Sequence, residues 1–194
     1  MSKLKEKIGY IFDYYKMFKA YIKSISLKRF FLKIEYGSKL KLKHSTKLYK
    51  NSEIQIGYKG KIELGKSVRI QKNTLLASVD LGKLKVDDFT FINRNCTIIS
   101  RKEVLIGKNV MIGPSVNIFD HNHKFNSEKI FQNEYNSESI VIEDNCWICA
   151  GVTILKGTKI GEGSIIGAGV VVKGLIPPHT IVKNKAGFEL TPID

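Results

Sequence analysis

The stretch IEDNCWICAGVTILKGTKIGEGSIIGAGVVVKG, residues 142–174, decides the fold. It divides into sixes, with Ile or Val at 142, 148, 154, 160, 166 and 172. Four places after each Ile stands a small or β-branched residue: Cys146, Val152, Thr158, Ser164 and Val170. Gly fills the fourth place of four units, at 151, 157, 163 and 169. An α-helix turns about 100° per residue, so a six-residue repeat would walk around its circumference and build no apolar face. Short strands joined by tight corners do account for it. Each unit is one side of a triangular coil, the aliphatic residue points inward, the small one fits the corner, and Gly or Asn supplies the turn. Coils stacked as parallel strands about 4.8 Å apart would bury a column of Ile and Val.

The template extends upstream to Ile106 and Ile112, Val86 and Ile92, and Leu64 and Ile70, with small insertions between early triplets. It fails once. Between Ile118 and Ile142 the segment HNHKFNSEKIFQNEYNSES, residues 121–139, contains no aliphatic hexad, and a loop must leave the coil there. Two of the four histidines, His121 and His123, lie at its root.

The chain divides into a basic helical segment (1–50), the coiled domain (51–182, loop about 120–139) and a tail (183–194). Of the net charge of +14, residues 1–50 hold +11: 14 Lys/Arg against Glu6, Asp13 and Glu35. Leu4, Ile8, Ile11, Phe12, Tyr15, Phe18, Ile22 and Ile25 recur at helical spacing, with Lys5, Lys16, Lys19 and Lys23 towards the other side. Two readings stand: a helix packed on the body or a neighbour, and a basic helix at an anionic membrane surface. No motif for nucleic acid accompanies the charge. No apolar run reaches the roughly 18 residues of a span, and charges interrupt the N-terminal hydrophobics too often for a signal peptide. Three cysteines form no disulfide framework, and Cys146-x-x-Cys149 lacks a redox context. The expected compartment is the cytoplasm, with peripheral membrane contact as the second reading.

With these residues on the page, the region 54–182 resembles the hexapeptide-repeat acyltransferases of the galactoside, maltose and capsular-polysaccharide O-acetyltransferase branch. The resemblance implies a mainly β, left-handed parallel β-helix, a homotrimer, and acetyl transfer from acetyl-CoA to a sugar or glycan-precursor hydroxyl. Handedness comes from the resemblance alone, because the periodicity does not give it and parallel crossovers are ordinarily right-handed. Such chemistry needs a base for the hydroxyl proton, a role that suits imidazole. The resemblance assigns it to His121, with His123 as alternative. It also implies Asn93 on the acceptor, and Trp147, Ala150, Ala168, Gly169 and Lys173 along the acetyl-CoA, with no metal required. Asp120 or a backbone carbonyl would fix the imidazole tautomer. Two departures are visible: Cys149 replaces a second-place Gly, and the ending after Pro177-Pro178 reads Val182-Lys183-Asn184-Lys185-Ala186 without the usual Arg pair. Amino-sugar N-acetylation shares fold, donor and base. A non-catalytic scaffold and a zinc-type hydratase are the other classes weighed; the hydratase lacks the dispersed three-histidine ligand set.

Overall fold

The computed structural model describes residues 27–184. Three parallel sheets of seven, seven and six strands form the sides of a triangular prism. In each coil the chain visits the first, second and third face in turn. The fourth coil, for example, runs through Glu103–Ile106, Met111–Ile112 and Asn117–Phe119. The fifth follows as Ile140–Ile142, Trp147–Ile148 and Thr153–Leu155. This is the left-handed β-helix.

Registers between coils show how the hexads are used. On the second face Ile148 pairs with Ile166, a step of 18 residues, as the strict repeat requires. Leu48 to Ile70 and Ile70 to Ile92 are steps of 22, because the early coils carry longer strands and turns on their first and third faces. The inward columns nevertheless stay aligned. Leu48, Ile70, Ile92, Ile112, Ile148 and Ile166 are 1% exposed or less. The corner positions Cys146, Val152, Thr158, Ser164 and Val170 are buried beside them. Their polar members donate to corner carbonyls, Ser164 Oγ to Pro177 O at 2.9 Å and Thr158 Oγ1 to Leu155 O at 2.6 Å, so no hydroxyl there is left without a partner.

The prism begins earlier than residue 51. Leu40–Leu42 is already a first-face strand, paired with Lys61–Leu64. Leu40, Leu42, Thr46, Leu48 and Ser52 supply the buried positions of a complete coil. Lysines on its outer side hide this coil in a composition count. Residues 27–36 are helical and close its open end. Tyr36 Oη donates to Ile54 O at 3.0 Å, and Leu32 and Tyr36 pack on the core. The expected helical residues Leu4 to Ile25 lie outside the described residues, as do Lys185 and Ala186. No helix among the described residues is long and apolar enough to cross a membrane.

Every corner between the first and second faces, and between the second and third, carries one residue at positive φ, and these residues stack. At the corner between first and second faces they are Ser45, Ser67, Phe89, Asn109, Asn145, Gly163 and His179. From Ser67 onward each bonds back one coil, as Phe89 N to Lys66 O at 2.8 Å and Asn145 N to Lys108 O at 2.9 Å. Phe89, at φ 64°, is the misfit, since a bulky side chain is strained where Asn is tolerated. Its ring is 51% exposed and contributes little packing. Phe89→Asn is therefore expected to raise the unfolding free energy by about 1 kcal/mol, measured by urea denaturation. An unchanged or lowered midpoint would show that the ring's contacts outweigh the backbone strain.

Candidate active site

The third face sets the point at which the loop departs. Ser78, Ser100 and Asp120 occupy one column at the end of its strands, all fully buried. Where the lower coil has Ser100, the next has a carboxylate. Asp120 Oδ2 accepts the Lys102 and Glu103 amides at 2.8 Å each and the Ser100 hydroxyl at 3.0 Å. Oδ1 accepts the Arg101 amide at 2.8 Å and meets His121 Nδ1 at 3.0 Å. Burial pushes this carboxyl's pKa up. The hydrogen bonds from His121, the Arg101 and Lys102 amides and Ser100 outweigh that, and hold it below the usual carboxylate range. An ionised carboxylate only accepts, so Nδ1 of His121 carries a proton, and in the neutral ring Nε2 holds the lone pair.

His121 opens a hairpin of His121–Phe125 against Ile130–Ser137, and its side chain is 15% exposed. The hairpin closes cleanly, with Glu138 N bonding Asp120 O at 2.8 Å. Tyr135 stands edge-on to His121 at 5.6 Å between ring centres. The Arg101 guanidinium lies 3.4 Å over the Tyr135 ring and is paired to Asp80. Arg101 Nε is buried without a hydrogen-bond partner. His123 is exposed on the same strand; its Nδ1 meets Phe131 O at 3.2 Å and its ring lies 4.6 Å from Tyr135.

The remaining candidate residues fall on two edges of the prism. Asn93, Ala150, Ala168 and Gly169 follow the second face, at its edge with the third. Asn93 Oδ1 accepts the Arg94 amide at 2.8 Å, and its Nδ2 makes no hydrogen bond among the described residues. Ala150 and Ala168 are exposed, and the Ala150 N–H finds no acceptor among the described residues. Gly113 lies beneath it, where a Cβ would stand 2.8 Å from the Ala150 nitrogen. Gly169, at φ 69°, has only Asn184 Nδ2 at 3.8 Å from a built Cβ, so open space, not internal packing, surrounds it. Trp147 is 48% exposed on the adjoining second face, between Met111 and Ile165. Lys173 is on the other edge, that of His121. It is exposed, and its charge acts on Glu138, which pairs with Lys156. Within one chain, His121 and Asn93 stand at opposite ends of the third face, in neighbouring coils.

Cys146 and Cys149 are free thiols. Cys146 points into the core and contacts Gly161 O at 3.2 Å, while Cys149 is half-buried at the edge; burial pushes both thiols up, away from a reactive thiolate. Among the described residues no three His, Cys, Asp or Glu side chains converge as a metal-binding group. The sequence reading left Asp120 open and passed over Arg101 and Tyr135. A Ser, Ser, Asp series at the strand ends was the available signal for Asp120.

Residues 139–174 match the bacterial transferase hexapeptide (six repeats) family. The matched segment forms the fifth and sixth coils of the prism. Galactoside O-acetyltransferase of Escherichia coli is 38% identical over 91 residues, 47% of this chain and 45% of that protein. Its Lactococcus lactis namesake is 33% identical over 91 residues, 47% and 44% of the two chains. The chain thus spans less than half the length of either relative. A hexapeptide-repeat-containing acetyltransferase of Vibrio cholerae, solved in complex with acetyl coenzyme A, aligns at TM-score 0.50 and 28% identity, over 80% of this chain and 71% of that one. The resemblance drawn from the sequence therefore holds.

Asp120→Asn places an amide donor among amide donors. The variant is expected to lose about 3 kcal/mol of stability, read by urea denaturation. The sign with pH follows from the lowered pKa. The carboxylate's contribution is complete above its unfolded value near ~4 and is lost as pH falls from there through its folded value. The variant should lack this component of the acid limb. Parallel wild-type and variant curves down that limb would contradict it.

Proposed function

We propose that the protein is an acetyl-CoA-dependent O-acetyltransferase acting on a hydroxyl of a sugar or cell-surface glycan precursor, with His121 as general base. The observation that carries this reading is the Asp120–His121 pair. A buried carboxylate holds Nδ1–H, so Nε2 faces away as an acceptor at the root of the hairpin. The named activity of the Escherichia coli and Lactococcus lactis relatives and the acetyl coenzyme A in the Vibrio cholerae structure support the donor and the acceptor class.

Acetyl-CoA, as co-substrate, supplies the activated acetyl thioester. His121 Nε2 takes the hydroxyl proton as the new C–O bond forms, and returns it to the departing thiolate. The Asp120 carboxylate stabilises the imidazolium between those two events. The Ala150 N–H, without an acceptor among the described residues, donates to the developing oxyanion on this reading. Trp147 offers an apolar surface to the pantetheine arm, the small residues Ala168 and Gly169 allow it close to the backbone, and Lys173 supplies a cation for phosphate. Asn93 Nδ2 holds the acceptor. His123, exposed and with its Nδ1 turned to a loop carbonyl, is the weaker candidate for the base.

These groups sit on two edges, so the active centre is formed between chains of a homotrimer. The outward column of the second face supports such packing: Phe91, Met111, Trp147, Ile165 and Ile181 run as an apolar ladder. Met111, Trp147 and Ile181 are each about half exposed in the single chain, at 55, 48 and 57%.

His121→Ala should lower kcat by about 10²-fold or more in a CoA-release assay with a panel of envelope sugars, while His123→Ala changes it less than about tenfold. Equal losses, or none at His121, would remove His121 as base. His121→Ala and Gly169→Trp variants, each impaired alone, should recover activity when co-refolded as mixed trimers, because some sites then combine intact edges. Absence of recovery would return the site to a single chain.

A further inference from the structure

The helix at residues 27–36 is turned inside out. Two of its three cations face the prism: Arg29 Nη1 donates to Thr46 O at 2.7 Å, and Lys28 Nζ to Ser52 Oγ at 3.0 Å and the Ser52 carbonyl. They satisfy carbonyls at the open edge of the first coil, which has no coil below it. Leu32 and Tyr36 pack on the core, and its other apolar residues face outward. Leu27, Phe30, Phe31 and Ile34, at i, i+3, i+4 and i+7, are 47, 59, 62 and 66% exposed. The rings of Phe30 and Phe31 meet edge to face at 5.7 Å. A stripe at that spacing is a burial face, and on this helix the protein body is on the other side.

The charge around the stripe selects its occupant. Residues 27–50 hold eight Lys/Arg against Glu35 alone. Lys33, Lys47 and Lys50 are exposed and have no carboxylate partner among the described residues. A second copy seated here would bring the same positive rim against itself, which electrostatics opposes. An anionic surface would complement it. We propose that this face docks on an anionic lipid bilayer, the two Phe rings and Ile34 entering the interfacial layer while the lysines meet the headgroups. The preceding sequence continues the same composition, Ile22 and Ile25 beside Lys23. The proposal stands on the helix and does not depend on the catalytic role of His121.

Co-sedimentation of the full chain with vesicles tests it, using phosphatidylcholine alone and phosphatidylcholine with phosphatidylglycerol. Binding is expected only to the second, weakening as salt rises. The double variant Phe30→Ser/Phe31→Ser should lower the partition coefficient by roughly tenfold or more, and Lys33→Gln/Lys47→Gln/Lys50→Gln should lower it too, both with unchanged melting midpoints. Ile34→Ser, on the same stripe, serves if the Phe pair proves necessary for folding. Failure to sediment with anionic vesicles, or binding that the stripe variants leave intact, overturns the proposal. So does a fall in oligomer mass with Phe30→Ser/Phe31→Ser while vesicle binding persists, since a second copy would then be the occupant.

Discussion

A stack of coils stands only if every corner returns the backbone to the register of the coil below. At two of the three corners the return is made by single residues at positive φ whose amides bond one coil back, as Ser67 to His44 O, Asn109 to Asp88 O and Gly163 to Asp144 O. The inward Ile and Val columns follow from it. If a corner drifted, the alternation within each two-residue strand would turn the aliphatic side chain outward. Hydrophobic burial supplies the driving force, but the corner decides which side chain is buried. The corner column therefore tolerates Ser, Asn, Gly, His and even Phe, while the core column admits only aliphatic residues.

The same constraint shapes the site. An insertion must leave and re-enter at one corner without shifting the register, and the bond from Glu138 N to Asp120 O does that. Phe119 still pairs with Ile99 below and Leu155 above. The corner beneath is tighter than the one before it, running from Ser100 to Glu103 instead of from Ser78 to Lys83. It leaves three successive amides pointing at one place, and Asp120 fills that place. Its carboxylate thus ends a corner, anchors a hairpin and orients an imidazole. Arg101, in that corner, extends the anchorage by stacking on Tyr135 from the returning strand.

Much of this was legible in residues 142–174, where the hexad is strict and one face repeats every 18 residues. The break at 121–139 was legible as a loss of period, and so was His121 at its root. Asp120 was not, because its environment is made by amides of residues 101–103, distant in sequence from it. The coil at 40–56 was hidden by outward lysines, since composition averages over both sides of a strand whereas burial uses alternate positions. The helical spacing runs through Leu4 to Ile25, which lie outside the described residues, and neither the helix at 27–36 nor the face it turns to the body was legible from it. Pattern suggests apolar inward; the unsatisfied carbonyls of the first coil drew Lys28 and Arg29 inward instead.

A triangular prism also limits how its edges can cooperate. Its core is filled by side chains, so a group on one edge cannot approach a group on another without unfolding a face. His121 with Lys173, and Asn93 with Ala150, Ala168 and Gly169, are thus fixed apart by the width of the third face. On the proposed reading, rotation about a threefold axis brings the two kinds of edge together, each from a different chain. Such an arrangement gives every chain one complete site shared on either side, and leaves the ends of the prism free. The capped end then carries its exposed Phe30 and Phe31 clear of the cleft between chains, so a contact made there need not obstruct the chemistry at the hairpin.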